Sequence, residues 1–547
     1  MPAADIRMSV EVADQAQTDA AKPTFIDTQL DPVEKYALEL VKTAHAYASE
    51  IINRDEHNKI EKYEKQYTGR GVQRRRNYNG QADLWPNISF EVVDTLLPQL
   101  VKLLFPNRDF FETEPQTKDL GEQAALAKDL LLQDIEDMTF LGKMLRAMRS
   151  NLKYGTVIVQ TYWNYKKGYL RQPKAGLVEK VLQDHSDVEV LNPLDWYFGD
   201  VDKLDIQDMD FCGKTFNSTF TQLKAQKATD ESGFYYNLDL VEKSSSSPGG
   251  DDKTKTVFSQ RDKMLGKDVA CAEYWFAPGI FDPTVDPEIA DNPQILADFA
   301  EKYRCEPNDF LGGWVVTVAD DAVPIRIQPN PHLDQEFPFV VGRCFELDNH
   351  AWGWGLLELI ESDQFEFADL HNQAIDAISK KLTPPTFTIE GAIRNKDKKA
   401  SFAPGANTEI DGQGFDIDKV FREFQTTANP QQAWAAAAEL LMSVQRRTGS
   451  ISSFAGVAGA KAGETATEVQ NRSQGGASRV ELRVFEMEEN FVKPLLMKLY
   501  RLNQSFMDKP KAIRKVGEKG LNWVTVNPED IVSAVKINML GSKSVAN

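Results

Sequence analysis

The stretch from Trp352 to Met507 constrains the fold most, because helical and non-helical patterns alternate along it in a fixed order. Apolar residues recur every three or four positions from Gly355 onward, which predicts an amphipathic helix. The prolines of residues 383–385 end this helix, since proline lacks the N–H that a helix needs. A Gly- and Pro-punctuated, strand-like insert follows. Asn429-Pro430 then begins an Ala-rich helix, which leads through a Gly/Ala loop into a long final helix.

The helix that follows Gly355 has two faces of opposite character. Its apolar side carries Leu356, Ile360, Phe367, Leu370, Ala374 and Ile378, and its acidic side carries Glu358, Glu361, Asp369 and Asp376. The final helix, predicted from about Glu464 to Met507, has an apolar stripe of Val480, Val484, Met487, Phe491, Leu495, Leu499, Leu502 and Phe506. Gly475-Gly476 and Pro494 predict bends in it.

The residues before Trp352 predict a helical part and then a mixed part. The predicted helices cover residues 31–66, 88–104 and 120–152, and the first has Asp31 as its cap and Pro32 in its first turn. The segment 154–170 is β-branched and aromatic with Gly breaks, which predicts a hairpin. Further strands are predicted near residues 188–200, 210–219, 269–277 and 312–328, with a short helix after the second. The fold class is therefore α+β, with a mostly antiparallel β part.

Composition and charge limit the function classes. The chain has 547 residues, enough for several domains, and a net charge of −19. Acidic proteins do not normally grip nucleic acid, since that affinity comes from Lys and Arg. An acidic wall could nevertheless confine DNA by repulsion, and charge alone does not choose between these readings. No apolar run reaches the roughly 18 residues of a membrane span. The N-terminus lacks an apolar signal-peptide core, which predicts a disordered tail over residues 1–30 and a cytoplasmic protein.

Residues that commonly carry chemistry do not form a recognisable site. The four cysteines form no CxxC pair and predict buried free thiols, and the six histidines form no HExxH motif. Lys461 lies in the Gly/Ala loop, but Ala462-Gly463 follows it and no strand precedes it, so a Walker A motif is absent. No acidic pair is tied by spacing to a His, Cys or Ser. The sequence therefore predicts no catalytic residue, no metal and no cofactor.

Three segments resemble bacteriophage portal proteins, especially those of short-tailed phages (podoviruses). VLNPLDWYFGD at residues 190–200 resembles a strand of the family's wing. The segment from FPFVVGRCFELDNHAWGWG to SKKLTPP, residues 337–385, resembles the approach to the first stem helix. RRTGSISSFAGVAGAKAGETATEVQNRSQGGASRV, residues 446–480, resembles the tunnel loop and the start of the kinked helix. The third is the most specific, and the resemblance covers roughly residues 30–535.

The resemblance implies a portal fold with an α/β wing, a helical stem, a small α/β clip, a tunnel loop and a long kinked helix, assembled as a ring. The implied divisions, after the tail of residues 1–30, are the wing 31–353 (helical 31–152, mixed 153–353), first stem helix 354–382, clip 383–428, second stem helix 429–448, tunnel loop 449–463, kinked helix 464–507 and a C-terminal segment 508–547. That last segment is short, so the resemblance predicts no large crown or helical barrel.

The implied function is a homododecameric ring at a unique capsid vertex of the virion, which conducts double-stranded DNA during packaging and ejection. The implied partners are the large terminase subunit, which supplies the ATPase, the tail adaptor or head-completion proteins, and the major capsid and scaffolding proteins. Assembly is expected in the host cytoplasm, with no membrane partner. The sequence leaves two alternatives open: a virion scaffold or tail component without a channel, and a metal-dependent nuclease that uses acidic clusters.

Candidate site residues follow from this picture. In the tunnel loop they are Lys461, the glycines Gly456, Gly459 and Gly463, and Ser452 and Ser453. Glu358, Glu361, Asp369 and Asp376 are candidates for the channel lining, or for an outer solvated face. At the clip, Arg394, Lys396, Lys398 and Lys399 are candidate docking charges, or an exposed turn. The basic run Arg74–Arg76 could contact nucleic acid, but a solvated loop or intersubunit ion pairs explain it as well.

Overall fold

The structure is a computed structural model that describes most of the chain. The described residues are 29–70, 81–115, 120–172, 176–228, 233–243, 267–382, 386–388, 421–423, 430–450, 480–517, 520–531 and 535–540. All statements below concern these residues.

The first helical segment is interrupted near its middle. Helix α1 spans Pro32–Tyr47, a π-helical turn spans Ala48–Ile52, and α2 spans Arg54–Thr68. The sequence predicted helix throughout, and the structure differs by this wide turn and by Asn53, which joins the two helices. The buried side chain of Asn53 bonds Phe198 and Trp352 instead of continuing the helical surface.

The next helices match the prediction in part. Helix α3 spans Ile88–Leu104, as predicted, and Asn87 caps it by accepting the Phe90 N–H at 2.9 Å. After strand β1, Phe111–Pro115, come α4, Gly121–Asp137, and α5, Phe140–Tyr154. The single helix predicted over 120–152 is wrong, because the chain turns at Thr139, whose φ of 54° is left-handed.

A three-stranded antiparallel sheet follows, with the strand order β3-β2-β9. Strands β2, Thr156–Gln172, and β3, Gly176–Leu191, form a long hairpin, and β9, Phe339–Arg343, pairs with the first part of β2. The hairpin predicted within residues 154–170 is wrong, because that segment is one continuous strand whose partner is β3.

The second sheet has five antiparallel strands in the order β4-β5-β6-β7-β8. They are Trp196–Phe198, Phe211–Thr219, Asp268–Phe276, Trp314–Ala319 and Val323–Pro329. Helix α1 packs against this sheet, and four further helices flank it: α6 Phe220–Ala225, α7 Leu238–Lys243, α8 Pro287–Ala290 and α9 Pro293–Tyr303. This arrangement confirms the predicted antiparallel β part with a short helix after Thr219.

The C-terminal part returns to helices. Its elements are α10 Leu356–Leu359, α11 Glu361–Leu382, β10 Thr386–Thr388, β11 Phe421–Glu423, α12 Pro430–Thr448, α13 Lys493–Phe506, β12 Lys511–Gly517, β13 Gly520–Val526 and β14 Val535–Met539. Strand β14 pairs with β1, so the end of the described chain lies beside its first strand.

The final helix passes through the largest core cluster. Residues 480–487 are helical, a π-helical turn spans Glu488–Val492, and α13 continues from there. The predicted apolar stripe is confirmed: its members from Val480 to Leu502 are buried, and Phe506 packs against the same cluster. The π-helical turn lies directly before Pro494, where a bend was predicted. All four cysteines are free and buried, as predicted.

Candidate functional site: the paired helices after Gly355

Helices α11 and α12 form an antiparallel pair. The guanidinium of Arg447, near the end of α12, lies 2.5 Å from the carboxylate of Asp363, near the start of α11. Further along, the rings of His371 and Trp434 meet edge to face with their centroids 4.9 Å apart. Positions therefore advance along α11 while they recede along α12, and the two helices share one long contact.

A strand pair closes the far end of this helix pair. Strands β10 and β11 are antiparallel, with Thr386 opposite Glu423 and Thr388 opposite Phe421. The two ends of the insert between α11 and α12 therefore lie side by side. The predicted docking residues Arg394, Lys396, Lys398 and Lys399 lie outside the described residues, and so do their surroundings.

An extended segment, residues 81–87, lies along α11 and is held there by polar side chains. The contacts are Ala82 N–H to Asp376 Oδ1 at 2.8 Å, Leu84 N–H to Asn372 Oδ1 at 2.8 Å, Asn372 Nδ2 to the Leu84 carbonyl at 2.9 Å, and Gln364 Nε2 to the Pro86 carbonyl at 2.9 Å. An extended backbone has no helical partners of its own, so these side chains satisfy groups that would otherwise need water. We call residues 81–87 the strap.

The four acidic residues predicted to share one helix face after Gly355 lie in different environments. Glu358 lies 3.8 Å from Lys59 of α2, and Glu361 forms an ion pair with Lys62. Asp376 is buried under the strap, whereas Asp369 is exposed. Since a channel lining depends on how copies of the chain are arranged, that role stays a prediction for all four residues.

The Glu358 carboxyl has a perturbed pKa. Burial raises the pKa above its ordinary value, Lys59 opposes that shift, and the nearby carboxylates of Glu56 and Glu361 add to it. Tyr63 also hydrogen-bonds Glu358, and the pKa of that phenol is raised, chiefly by burial. These contacts join α10, which directly precedes α11, to α2.

Sequence reasoning missed the polar residues that hold this region together. Gln364 accepts from both the N–H and the hydroxyl of Ser89, and Ser89 in turn accepts from Gln66 at 2.9 Å. Gln364, Asn372 and Asp376 recur at multiples of four along α11, which is the spacing of one helical face. That spacing was a usable signal that a polar partner covers this face.

The helix pair also leaves apolar side chains in solvent. These are Phe365, Ile378 and Leu382 on α11 and Trp434 and Met442 on α12, with Leu382 77% exposed. Scattered exposed apolar residues are common, but five on one pair of helices suit a surface that packs against another chain.

The remaining predicted site residues lie outside the described part of the chain. They are Ser452, Ser453, Gly456, Gly459, Lys461 and Gly463 of the Gly/Ala loop and the run Arg74–Arg76. Among the described residues no group of three or more His, Cys, Asp or Glu side chains is placed to hold a metal ion. Within the same residues, no helix combines the length and the hydropathy of a membrane span.

Comparison with known proteins gives a family match. Residues 308–541 match the family described as Phage SU10 portal protein. The matched range runs from the strands β7 and β8 through the helix pair and the final helix to β14. No curated protein matches the chain.

Proposed function

We propose, from the premise that this chain is a phage portal protein of the podovirus type, that it forms a dodecameric ring at a unique capsid vertex. The ring would be the channel for double-stranded DNA during packaging and ejection. It would also be the docking platform for the large terminase subunit and, later, for tail adaptor or head-completion proteins. The major capsid and scaffolding proteins would surround it in the virion, after assembly in the host cytoplasm.

The family match over residues 308–541 carries this proposal, because it includes the antiparallel pair α11–α12 and its insert. The pair ends in a closed strand pair, which suits a projecting element. Its exposed apolar side chains suit packing against a neighbouring copy. Identical subunits that contact each other head to tail close into a ring when the rotation allows it.

The net charge of the chain suits a channel through which DNA passes better than a protein that binds DNA tightly. The net charge is −19, and a channel wall with such an excess of acidic residues would repel phosphate, so that DNA could pass without being held. Lys461 and its neighbouring glycines would supply brief contacts to the DNA backbone that do not depend on sequence. Of the acidic candidates on α11, Asp369 is the exposed one and would face the passing DNA.

The proposal assigns no enzymatic activity to this chain. The Gly/Ala loop departs from the Walker A pattern at the residue that follows Lys461, so the energy for packaging would come from the terminase partner. A nuclease would need acidic residues that hold a metal ion, and none of the described residues form such a group.

Negative-stain electron microscopy of the purified chain, with class averages of end views, tests the proposal. Twelve- or thirteen-fold rings with a central opening wide enough for duplex DNA are expected. Monomers or small oligomers across protein concentration and salt would refute it. Rings without such an opening would favour the scaffold alternative, and Mg²⁺-dependent DNA cleavage that a single acid-to-alanine change abolishes would favour the nuclease.

Two variants separate the roles of the loop and the insert. Deletion of residues 452–463 should leave the rings intact and impair DNA packaging or retention; loss of the rings would make the loop a structural contact instead. The triple change Lys396→Glu, Lys398→Glu, Lys399→Glu should weaken terminase or adaptor binding. Lys35→Glu, Lys42→Glu, Lys224→Glu is the control, since it changes the net charge equally at exposed positions.

A further inference from the structure

The hairpin β2–β3 extends well beyond the sheet to which it belongs. Strand β9 pairs only with Thr156–Gln160, so the outer part of the hairpin has two strands. The last anchoring contacts are at Trp163, which stacks on Phe506 and donates to Asp184. We call residues 165–172 and 176–184 the ribbon. A two-stranded ribbon is marginally stable alone in water, which suggests that something covers it.

The ribbon presents apolar side chains on both of its faces. Tyr165 and Tyr169 are 52% and 73% exposed and share a face with Val181, which lies opposite Lys167. Leu182, at the register shift, lies over Gly168 on the other face and is 51% exposed. Exposed tyrosines with aliphatic neighbours are typical of protein contacts, because they bury much area for little loss of side-chain entropy.

The ribbon is cationic in an acidic chain. Its described part has four basic residues, Lys166, Lys167, Arg171 and Lys180, and two acidic ones, Glu179 and Asp184, which gives a net charge of +2 against −19 for the chain. All four basic residues are exposed. One ion pair, Lys167 to Glu179 at 3.6 Å, lies within the ribbon. An acidic protein surface would complement it.

Such a surface lies on the same chain, around helices α8 and α9. Residues 282–311, which we call the acidic face, contain eight acidic and two basic residues, a net charge of −6. Two aliphatic side chains stand out among these charges: Val285 is 72% exposed and Leu311 is 79% exposed. The acidic face therefore complements the ribbon in charge and also offers apolar contact.

Among the described residues, no hydrogen bond, ion pair or ring contact joins the ribbon to the acidic face. We propose that the ribbon of one copy docks on the acidic face of the next copy, as a heterologous contact that repeats around the assembly. This inference rests on the ring of the proposed function and deepens it, since it names which surfaces meet.

Charge reversal with rescue tests this pairing. The full-length chain would carry Lys166→Glu, Lys167→Glu and Lys180→Glu, and its assembly would be followed by mass photometry against concentration. We expect the concentration for half-assembly to rise about tenfold or more, since three ion pairs of the exposed kind are lost and three repulsions are introduced. Adding Glu288→Lys, Asp291→Lys and Glu301→Lys should restore assembly, because the pairs are then reversed. Lys35→Glu, Lys42→Glu, Lys224→Glu is the control with the same net charge.

Each result decides the matter. Disruption by the ribbon variant, little effect of the control, and rescue by the reversed acidic face support the pairing. Unchanged assembly, or disruption without rescue, overturns it. Normal rings that lose binding to duplex DNA would show that the ribbon binds DNA, which also overturns it. Circular dichroism checks that the variants fold, and amide exchange checks independently that residues 165–172 gain protection in the ring. If the unaltered chain forms no ring, the proposed function itself fails, and this outcome is distinct from the others.

Discussion

Replacing Asn53 by alanine should destabilise the protein strongly, because its buried amide pairs with three polar groups on two distant segments. The side chain accepts from the Phe198 N–H at 3.3 Å and from Trp352 Nε1 at 3.0 Å, and it donates to the Phe198 carbonyl at 2.9 Å. Phe198 is on the outer strand β4, and Trp352 immediately precedes the paired helices. Both are almost fully buried, so the groups that lose their partners have little access to bulk water.

The expected cost follows from the number of groups left unpaired. A buried donor or acceptor without a partner costs about 1–3 kcal/mol, and three are created here. Some water will enter the space that the amide vacates, so we expect a loss of about 3–5 kcal/mol. For a domain of about 150–250 residues, that corresponds to a fall in Tm of roughly 6–20 °C.

Differential scanning fluorimetry would measure this loss, and amide exchange would locate it. The backbone amides of β4 and of the π-helical turn Ala48–Ile52 should exchange faster in the variant, while the exchange rates of β12 and β13 should not change. Asn58→Ala is the matched control, because Asn58 is an exposed residue of α2 and should tolerate alanine. A Tm within about 1 °C of the parent chain, or an equal loss in the control, would refute the reasoning.

Four further single substitutions probe other parts of the structure. Arg447→Met should lower the free energy of unfolding by about 1–3 kcal/mol, because it leaves the nearly buried Asp363 carboxylate without its ion-pair partner. Adding Asp363→Asn should recover part of this loss, and urea unfolding of both variants would measure it. Burial lowers the pKa of His332 to about 4, against about 6.5 unfolded. The folded state therefore binds fewer protons between these values, and its stability should fall as pH drops from 6.5 to 4; His332→Gln should flatten that dependence in melts at several pH values, and parallel profiles would contradict it. Gly155→Ala should prevent soluble expression, because the residue has φ +83° and a Cβ would lie 2.2 Å from a backbone oxygen, whereas Gly142→Ala, in open space within α5, should raise stability by about 0.5–1 kcal/mol.

Local chemistry explains which elements the sequence could predict. Helix α3 begins directly after the capping Asn87, and α12 begins at Pro430, which suits a first turn. The buried stripe of the final helix follows from its three-and-four spacing alone. In each case the residues that determine the feature lie within one or two helical turns of it, so the local sequence is enough to predict it.

Features that depend on distant partners were not predictable in the same way. Asp376 has the sequence environment of a solvated helix face, and only the strap, almost 300 residues earlier, makes it a buried acceptor. The turn at Thr139 and the π-helical turn Ala48–Ile52 carry no Gly or Pro signal. The segment of strand β2 predicts a hairpin because Gly155 and Gly168 resemble turn residues, yet Gly168 lies within the strand and makes room for Leu182.

The strand pair β10–β11, which closes the far end of the helix pair, affects how this protein can evolve. Because the chain leaves and returns through paired residues, such as Thr388 opposite Phe421, the distance between the ends of α11 and α12 does not depend on what lies between. Residues 389–420 can therefore lengthen, shorten or be exchanged as a cassette, at a loop-closure cost that grows only slowly with length. Given the docking role proposed for this insert, a lineage could acquire a new attachment specificity by recombining this cassette alone, while the rest of the subunit keeps its sequence.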